Sequence, residues 1–194
     1  MVDYGTYRKI RPDGNCFYRA YLFGILESVS KNGKEAILAL SEKFRALSLE
    51  CKQFGYDAFT VDEFHELLEE QIQTLLKHPN PLEVFSDASV DCYLVALLRC
   101  ITGAGLKKWS DDYLPFLPEP YECIDAFCRT EVDPMYRDCD QLQITALVRM
   151  MEDWGLDIVY FDAHSPLSVH SFGPSDNKIS LLYKPGHYDL LYRV

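Results

Sequence analysis

The chain contains no uninterrupted apolar run near the roughly 20 residues that a membrane span requires, and Met1-Val-Asp-Tyr4 has neither the basic nor the apolar block of a secretory signal. Its place is therefore expected to be inside the cell, in the cytoplasm and also the nucleus, with no membrane partner. Positive charge is scarce as well: 19 Lys and Arg against 30 Asp and Glu leave a net charge of −11. A phosphate backbone is gripped by clustered Lys and Arg, so this balance excludes nucleic acid and favours basic protein surfaces. Internal repeats, low-complexity tracts and charged tails are all missing, and one domain over residues 1–194 is expected, as a monomer. The 48% of hydrophobic and 13% of aromatic residues suffice for a proper core. Seven cysteines form an odd set without the short paired spacings of a zinc site or a disulfide framework. No metal and no cofactor are expected, and a reducing compartment suits such a chain.

What is present is a helical first part and a stranded last part. Ala36, Ile37, Leu40, Phe44 and Leu47 recur at helical spacing. Thr60-Val-Asp-Glu63 reads as a capping box ahead of Phe64, Leu67, Leu68, Ile72, Leu75 and Leu76. The segment from Asp87 to Thr102 is apolar on most faces, which predicts a buried helix with Cys92 and Cys100 in the core and Gly103 as its stop. Asp140 can cap a further helix whose Leu142, Leu147, Met150, Met151 and Trp154 face inward before Gly155 ends it. The Pro-rich segment from Trp109 to Tyr121 reads as an exposed arm.

From Leu156 the period changes to that of strands: Leu156 to Phe161, Ser168 to Phe172, Ile179 to Tyr183 and Tyr188 to Arg193, separated by Pro, Gly, Ser and Asn. Helices early and strands late define an α+β class, with the helical part packed on a small, mostly antiparallel C-terminal sheet.

A cysteine in an apolar chain is most often a small buried hydrophobe. Cys16 is set apart because Asp13-Gly14-Asn15-Cys16-Phe17 opens an apolar helix, where the dipole and free backbone N–H groups can stabilise a thiolate and lower its pKa. Gly14 allows backbone amides to come close to an oxyanion. At the other end, His187 and Asp189 stand two apart on a strand and so leave by one face, which lets Asp189 orient the imidazole while Tyr188 points the opposite way. Nucleophile and base are remote in sequence, as catalytic Cys and His pairs commonly are. His65, His78, His164 and His170 lack such a partner and read as solvated or structural, and Asp162 and Asp176 read as loop residues.

The run Tyr7-Arg-Lys-Ile-Arg-Pro-Asp-Gly-Asn-Cys-Phe-Tyr-Arg-Ala20 closely resembles the catalytic motif of otubains, deubiquitinating cysteine proteases of the ovarian tumour superfamily. Leu181 to Tyr192 is similar to the family's histidine motif, and Asp91 to Val95 and Phe127 to Met135 resemble otubain segments in the same order. The resemblance implies a papain-like fold with Cys16 as nucleophile, His187 as general base, Asp189 as orienting acid and the Asp13 backbone N–H in the oxyanion hole. It implies ubiquitin and polyubiquitin as partners, held in part near the Trp109 to Tyr121 arm, and hydrolysis at the C-terminal glycine of ubiquitin. It also implies an alternative, binding and inhibition of ubiquitin-conjugating enzymes without cleavage. Six residues precede Tyr7, so a proximal-ubiquitin site built from an N-terminal helix is not expected, which favours the hydrolase.

Overall fold

The computed structural model describes residues 4–85, 87–161, 168–174 and 176–194; the expectations on Asp162 and His164 lie outside them. The chain runs through strand β1 (Tyr4–Arg8), helices α1 (Cys16–Asn32), α2 (Lys34–Gln53), α3 (Ala58–Lys77), the short α4 (Pro81–Val84), α5 (Ala88–Lys108) and the short α6 (Ser110–Tyr113). A 3-10 turn at Leu114–Phe116, the single-turn α7 (Ile124–Phe127), one π-helical turn at Cys128–Val132 and α8 (Gln141–Met151) follow. The strands β2 (Gly155–Tyr160), β3 (Ser168–Phe172), β4 (Lys178–Lys184) and β5 (His187–Arg193) complete it. Early helices and late strands make this an α+β fold.

The five strands form one sheet in the order β1-β5-β4-β2-β3. Only β2 and β4 run parallel; the other three pairings are antiparallel. β1 escaped the sequence reading because its residues are exposed or half-buried, without the alternation that marks a half-buried strand. It sits on the sheet edge against β5, with Tyr7 opposite Leu191 and Arg8 opposite Leu190.

α1 is buried along all of its first eleven residues and packs against β5 and β4, with α2 and α5 on its other sides. Gly24 marks the close approach: a Cβ there would lie 2.6 Å from Ile179 Cγ2. Phe17, Tyr18, Tyr21, Leu22, Ile25 and Leu26 form the centre of the core with Leu98 and Ile101 of α5. Burying a side chain of this size contributes about 1.5 to 3 kcal/mol.

Three local expectations change. α3 starts earlier than the Thr60 box: Asp57 is the cap, and its carboxylate accepts from Thr60 N–H at 2.9 Å. α5 does not stop at Gly103 but continues to Lys108, because the absent side chain there admits Tyr56, whose Oη would lie 1.7 Å from a Cβ. By length and composition α5 could cross a membrane, although no uninterrupted run announced it, but 67% of its most apolar window is buried, as in a core helix. α8 carries the expected Asp140 cap, completed to a capping box by Gln143, but it ends at Glu152 (φ 50°), and Gly155 begins β2 instead.

Candidate active site

Cys16 is the first residue of α1, where its N–H has no helical carbonyl to bond. The backbone N–H groups of Tyr188 and Phe17 lie near its sulfur and favour the thiolate. Tyr188 lies between His187 and Asp189, so the start of α1 and the start of β5 meet at the sulfur. The packing behind them fixes this meeting: Tyr188 turns its ring to Phe17, edge to face at 5.5 Å, and to Tyr183 at 5.1 Å. Side-chain alternation along β5 then puts His187 and Asp189 on the other face.

His187 Nε2 is 2.9 Å from Asp189 Oδ1, while its Nδ1 is buried with no hydrogen-bond partner. One imidazole nitrogen is therefore held by the carboxylate and the other is left for chemistry. Asp189 is 2% exposed and also accepts from Ile10 N–H at 2.9 Å and Lys184 Nζ at 3.0 Å. Burial alone would raise its pKa, but the donations from Ile10, Lys184 and His187 outweigh it and hold the carboxyl below its ordinary value. Sequence spacing exposed the pair; Lys184 and Ile10 were missed, although Lys184 directly precedes the Pro185-Gly186 turn.

The nucleophile loop departs from expectation at two points. Burial, at 4% exposure, pushes the Cys16 thiol above its ordinary pKa; the N–H groups of Tyr188 and Phe17 pull it back in part, and Asp138 and Asp13 push it further up. A helix terminus does not by itself make a thiolate here, so a base must take the proton. Second, the Asp13 N–H donates to the Arg11 carbonyl at 3.1 Å and is not open to an oxyanion in this state, since the chain folds back tightly over Pro12. The Cys16 N–H, at the first position of α1, is a donor left without a helical acceptor.

Asp13 contributes through its carboxylate. It accepts from Asn15 N–H at 3.1 Å, from Arg11 Nε at 2.8 Å and from both ends of the Arg19 guanidinium at 2.8 and 3.0 Å. Burial raises its pKa, but those bonds prevail and it lies low. Asp91, at the start of α5, grips Arg19 Nε from the opposite side at 2.8 Å and reaches Arg11 Nη2 at 2.5 Å. Gly14, at φ 72°, lies against the Tyr136 backbone, where a Cβ would be 2.4 Å from the carbonyl oxygen. Asn15 is fully buried, its Oδ1 accepting from Arg99 at 2.7 Å and from Tyr136 N–H at 3.1 Å.

A groove of about 1000 Å³ is lined by Phe116, Tyr121, Phe127, Glu131, Asp138 and Arg149, among others. Asp138 connects it to the Cys16 environment, and the Trp109 to Tyr121 arm forms one wall. That arm is partly ordered by α6 and the 3-10 turn, with Tyr113 buried and Phe116 70% exposed. Of the other cysteines, Cys51, Cys128 and Cys139 are buried and Cys123 is exposed, whereas Cys92 and Cys100, expected in the core, are half-buried. Among the described residues no cluster of His, Cys, Asp or Glu could hold a metal.

A thiol at a helix N-terminus, beside the start of a strand that carries a histidine held by a carboxylate, fits a papain-like cysteine hydrolase. Its family follows from comparison: residues 2–193 match the model Peptidase C65 Otubain, and the chain belongs to that family. It is 35% identical over 200 residues to human ubiquitin thioesterase OTUB1, covering 98% of this chain and 71% of that one. It is 33% identical to the otubain-like ubiquitin thioesterase of Caenorhabditis elegans, over 98% and 70% of the two chains. A solved structure of ceOTUB1 in complex with ubiquitin aldehyde and UBC13~Ub superposes with a TM-score of 0.89 at 29% identity, covering 98% of this chain and 80% of that one. A structure of the OTUD1 OTU domain, at TM-score 0.51 and 18% identity, shares the fold alone.

Proposed function

We infer that this chain is a cysteine-type deubiquitinase that hydrolyses the bond to the C-terminal glycine of ubiquitin, in polyubiquitin or in ubiquitinated proteins. The observation that carries the reading is the convergence of the Cys16 thiol on the Tyr188 N–H, between a histidine with one free nitrogen and the carboxylate that holds the other. Its relatives carry the name ubiquitin thioesterase.

In the reaction His187 accepts the thiol proton as the sulfur attacks the glycine carbonyl, forming a tetrahedral oxyanion. His187 then gives that proton to the leaving lysine amine as the C–N bond breaks, which leaves a thioester on Cys16. Water attacks next, with His187 again taking a proton, and the free carboxylate departs as the thiol is restored. Asp189 keeps the imidazole oriented and stabilises its cationic form. The Cys16 N–H supports the oxyanion, and the Asp13 N–H joins it only once it leaves the Arg11 carbonyl. The acidic, aromatic groove beside Asp138 suits the basic rim of ubiquitin, and the reducing cytoplasm and nucleus suit a free thiol nucleophile.

Cys16→Ser should fold, fail to cleave any of a panel of diubiquitins, and fail to react with a ubiquitin bearing a C-terminal electrophile. Labelling of another cysteine in the wild type would overturn the assignment.

A second reading, binding and restraint of ubiquitin-conjugating enzymes, is favoured by structural neighbours solved with UBC13~Ub and UBCH5B~Ub. Cys16→Ala separates the two, since suppression of chain synthesis by this variant in a reconstituted reaction would come from binding alone.

A further inference from the structure

Arg99 lies in the middle of α5 with 1% of its surface exposed, and among the described residues no carboxylate forms an ion pair with it. Burying a guanidinium without a counter-ion is costly unless oxygen dipoles surround it. Here Nη1 donates to Val132 O at 2.9 Å, and Nη2 to Arg137 O at 2.7 Å, Asn15 Oδ1 at 2.7 Å and Gly14 O at 3.1 Å. The Tyr18 ring lies 4.6 Å from the guanidinium carbon, and Nε has no partner. Each oxygen belongs either to the turn immediately before the nucleophile or to the segment from Val132 to Arg137 that packs on that turn.

The consequence is geometric. A peptide unit is planar, so drawing the Gly14 carbonyl inward to Arg99 sends the Asn15 N–H the opposite way, where Asp13 Oδ1 receives it. With both the carbonyl before it and its own side chain bonded to one cation, Asn15 has no freedom to rotate the start of α1.

We propose that Arg99 is a positioning residue for hydrolysis, fixing the Gly14–Asn15 turn so that the Cys16 thiol and N–H meet the scissile carbonyl together. The inference rests on the assignment of Cys16 as nucleophile. A forked guanidinium is needed because acceptors lie at both terminal nitrogens, three sharing the two N–H groups of Nη2 and a fourth at Nη1; an ammonium has the charge without the span.

The test is Arg99→Lys, measured by steady-state hydrolysis of a fluorogenic ubiquitin C-terminal amide, alongside Leu98→Ala as a neighbouring core substitution on the same helix. Displacing reacting groups by an ångström costs on the order of 10- to 100-fold, so kcat should fall by that factor with KM changed less than about twofold. Iodoacetamide alkylation of Cys16, which needs the thiol but no oxyanion, should stay within about threefold of wild type, and Leu98→Ala should keep kcat despite a lower melting temperature. Wild-type kcat in Arg99→Lys overturns the proposal. So does an equal loss of kcat in both variants, which would mark a purely structural arginine. Should Arg99→Lys fail to fold, Asn15→Ala removes one acceptor while keeping the cation, and unchanged kcat there is equally fatal. Wild-type protein without turnover would instead refute the reading of Cys16, and this inference with it.

Discussion

The two halves of the site are held in place by different means. His187 and Asp189 stand two residues apart on one strand, braced by the nearby Lys184 and by one backbone N–H from Ile10. Cys16 depends on Asp13, Asn15, Arg19, Asp91, Arg99 and the segment from Val132 to Arg137, gathered from four parts of the chain and largely buried. The base half is local but for the Ile10 contact; the nucleophile half is long-range and ionic. Damage to the first should cost activity and spare the fold, whereas damage to the second should cost both.

The largest effect expected is on the base side. General-base catalysis is worth about 10²- to 10⁴-fold, so His187→Ala should lose that much turnover on a ubiquitin amide. Its melting temperature should stay close to wild type, because among the described residues the imidazole makes one hydrogen bond, to Asp189. Asp189→Asn keeps the shape and loses the charge, and should fall less far than His187→Ala. A melting temperature that collapses in His187→Ala would show that the base half is also structural and would erase the contrast.

The next effect belongs to the nucleophile side. Asp91 is 2% exposed between Arg19 and Arg11, and Asp91→Ala leaves Arg19 buried with Asp13 as its one remaining carboxylate. Removing one partner of a buried ion pair costs about 3 to 5 kcal/mol. The low end applies, about 3 kcal/mol, since Asp13 still compensates part of the charge. At roughly 2 to 4 °C per kcal/mol for a domain of this size, the melting temperature should drop by about 6 to 12 °C, and turnover should fall with it. Unchanged activity in a destabilised Asp91→Ala would separate the ionic network from the nucleophile loop.

The same contrast explains what could be read in the sequence. Period-2 spacing on β5, the Asp140 cap of α8 and the apolar stripe of α2 are local patterns, and they appear where the residues placed them. Gly103 and the Thr60 box were misread because each local signal was overruled by something distant or adjacent: Tyr56 packing on α5, and Asp57 capping α3 first. Arg99 gave no readable signal of a site, and Arg19 and Asp91 were marked only by their place in segments that resemble otubain motifs, since a charged residue in an apolar helix acquires its meaning from partners distant in sequence. The raised Cys16 pKa was missed for a related reason, because helix position is visible in sequence and depth of burial is not.

The smallest expected effect sharpens the base half. Lys184 is one of three donors that hold the Asp189 pKa below its ordinary value, with its side chain 42% exposed. A carboxyl whose folded pKa is depressed contributes stability that is present above the unfolded value, near 4, and is lost as pH falls through the folded value. Lys184→Met removes one donor, so the folded pKa rises toward the unfolded one and the contribution shrinks. Exposure screens the pair, which limits the loss at neutral pH to about 1 kcal/mol or less. In an acid titration followed by circular dichroism, the variant should unfold at a higher pH than wild type, while the two differ little below the folded pKa of Asp189, where the carboxyl is protonated in both. Asp13 supplies the control: its carboxyl is also held low, but by two arginines. Arg11→Met, which takes away one of those arginines, should shift the acid midpoint in the same direction. An acid midpoint unmoved or lowered in Lys184→Met would mean that Ile10 and His187 suffice to hold Asp189, and that the base half is even more local than the hydrogen bonds suggest.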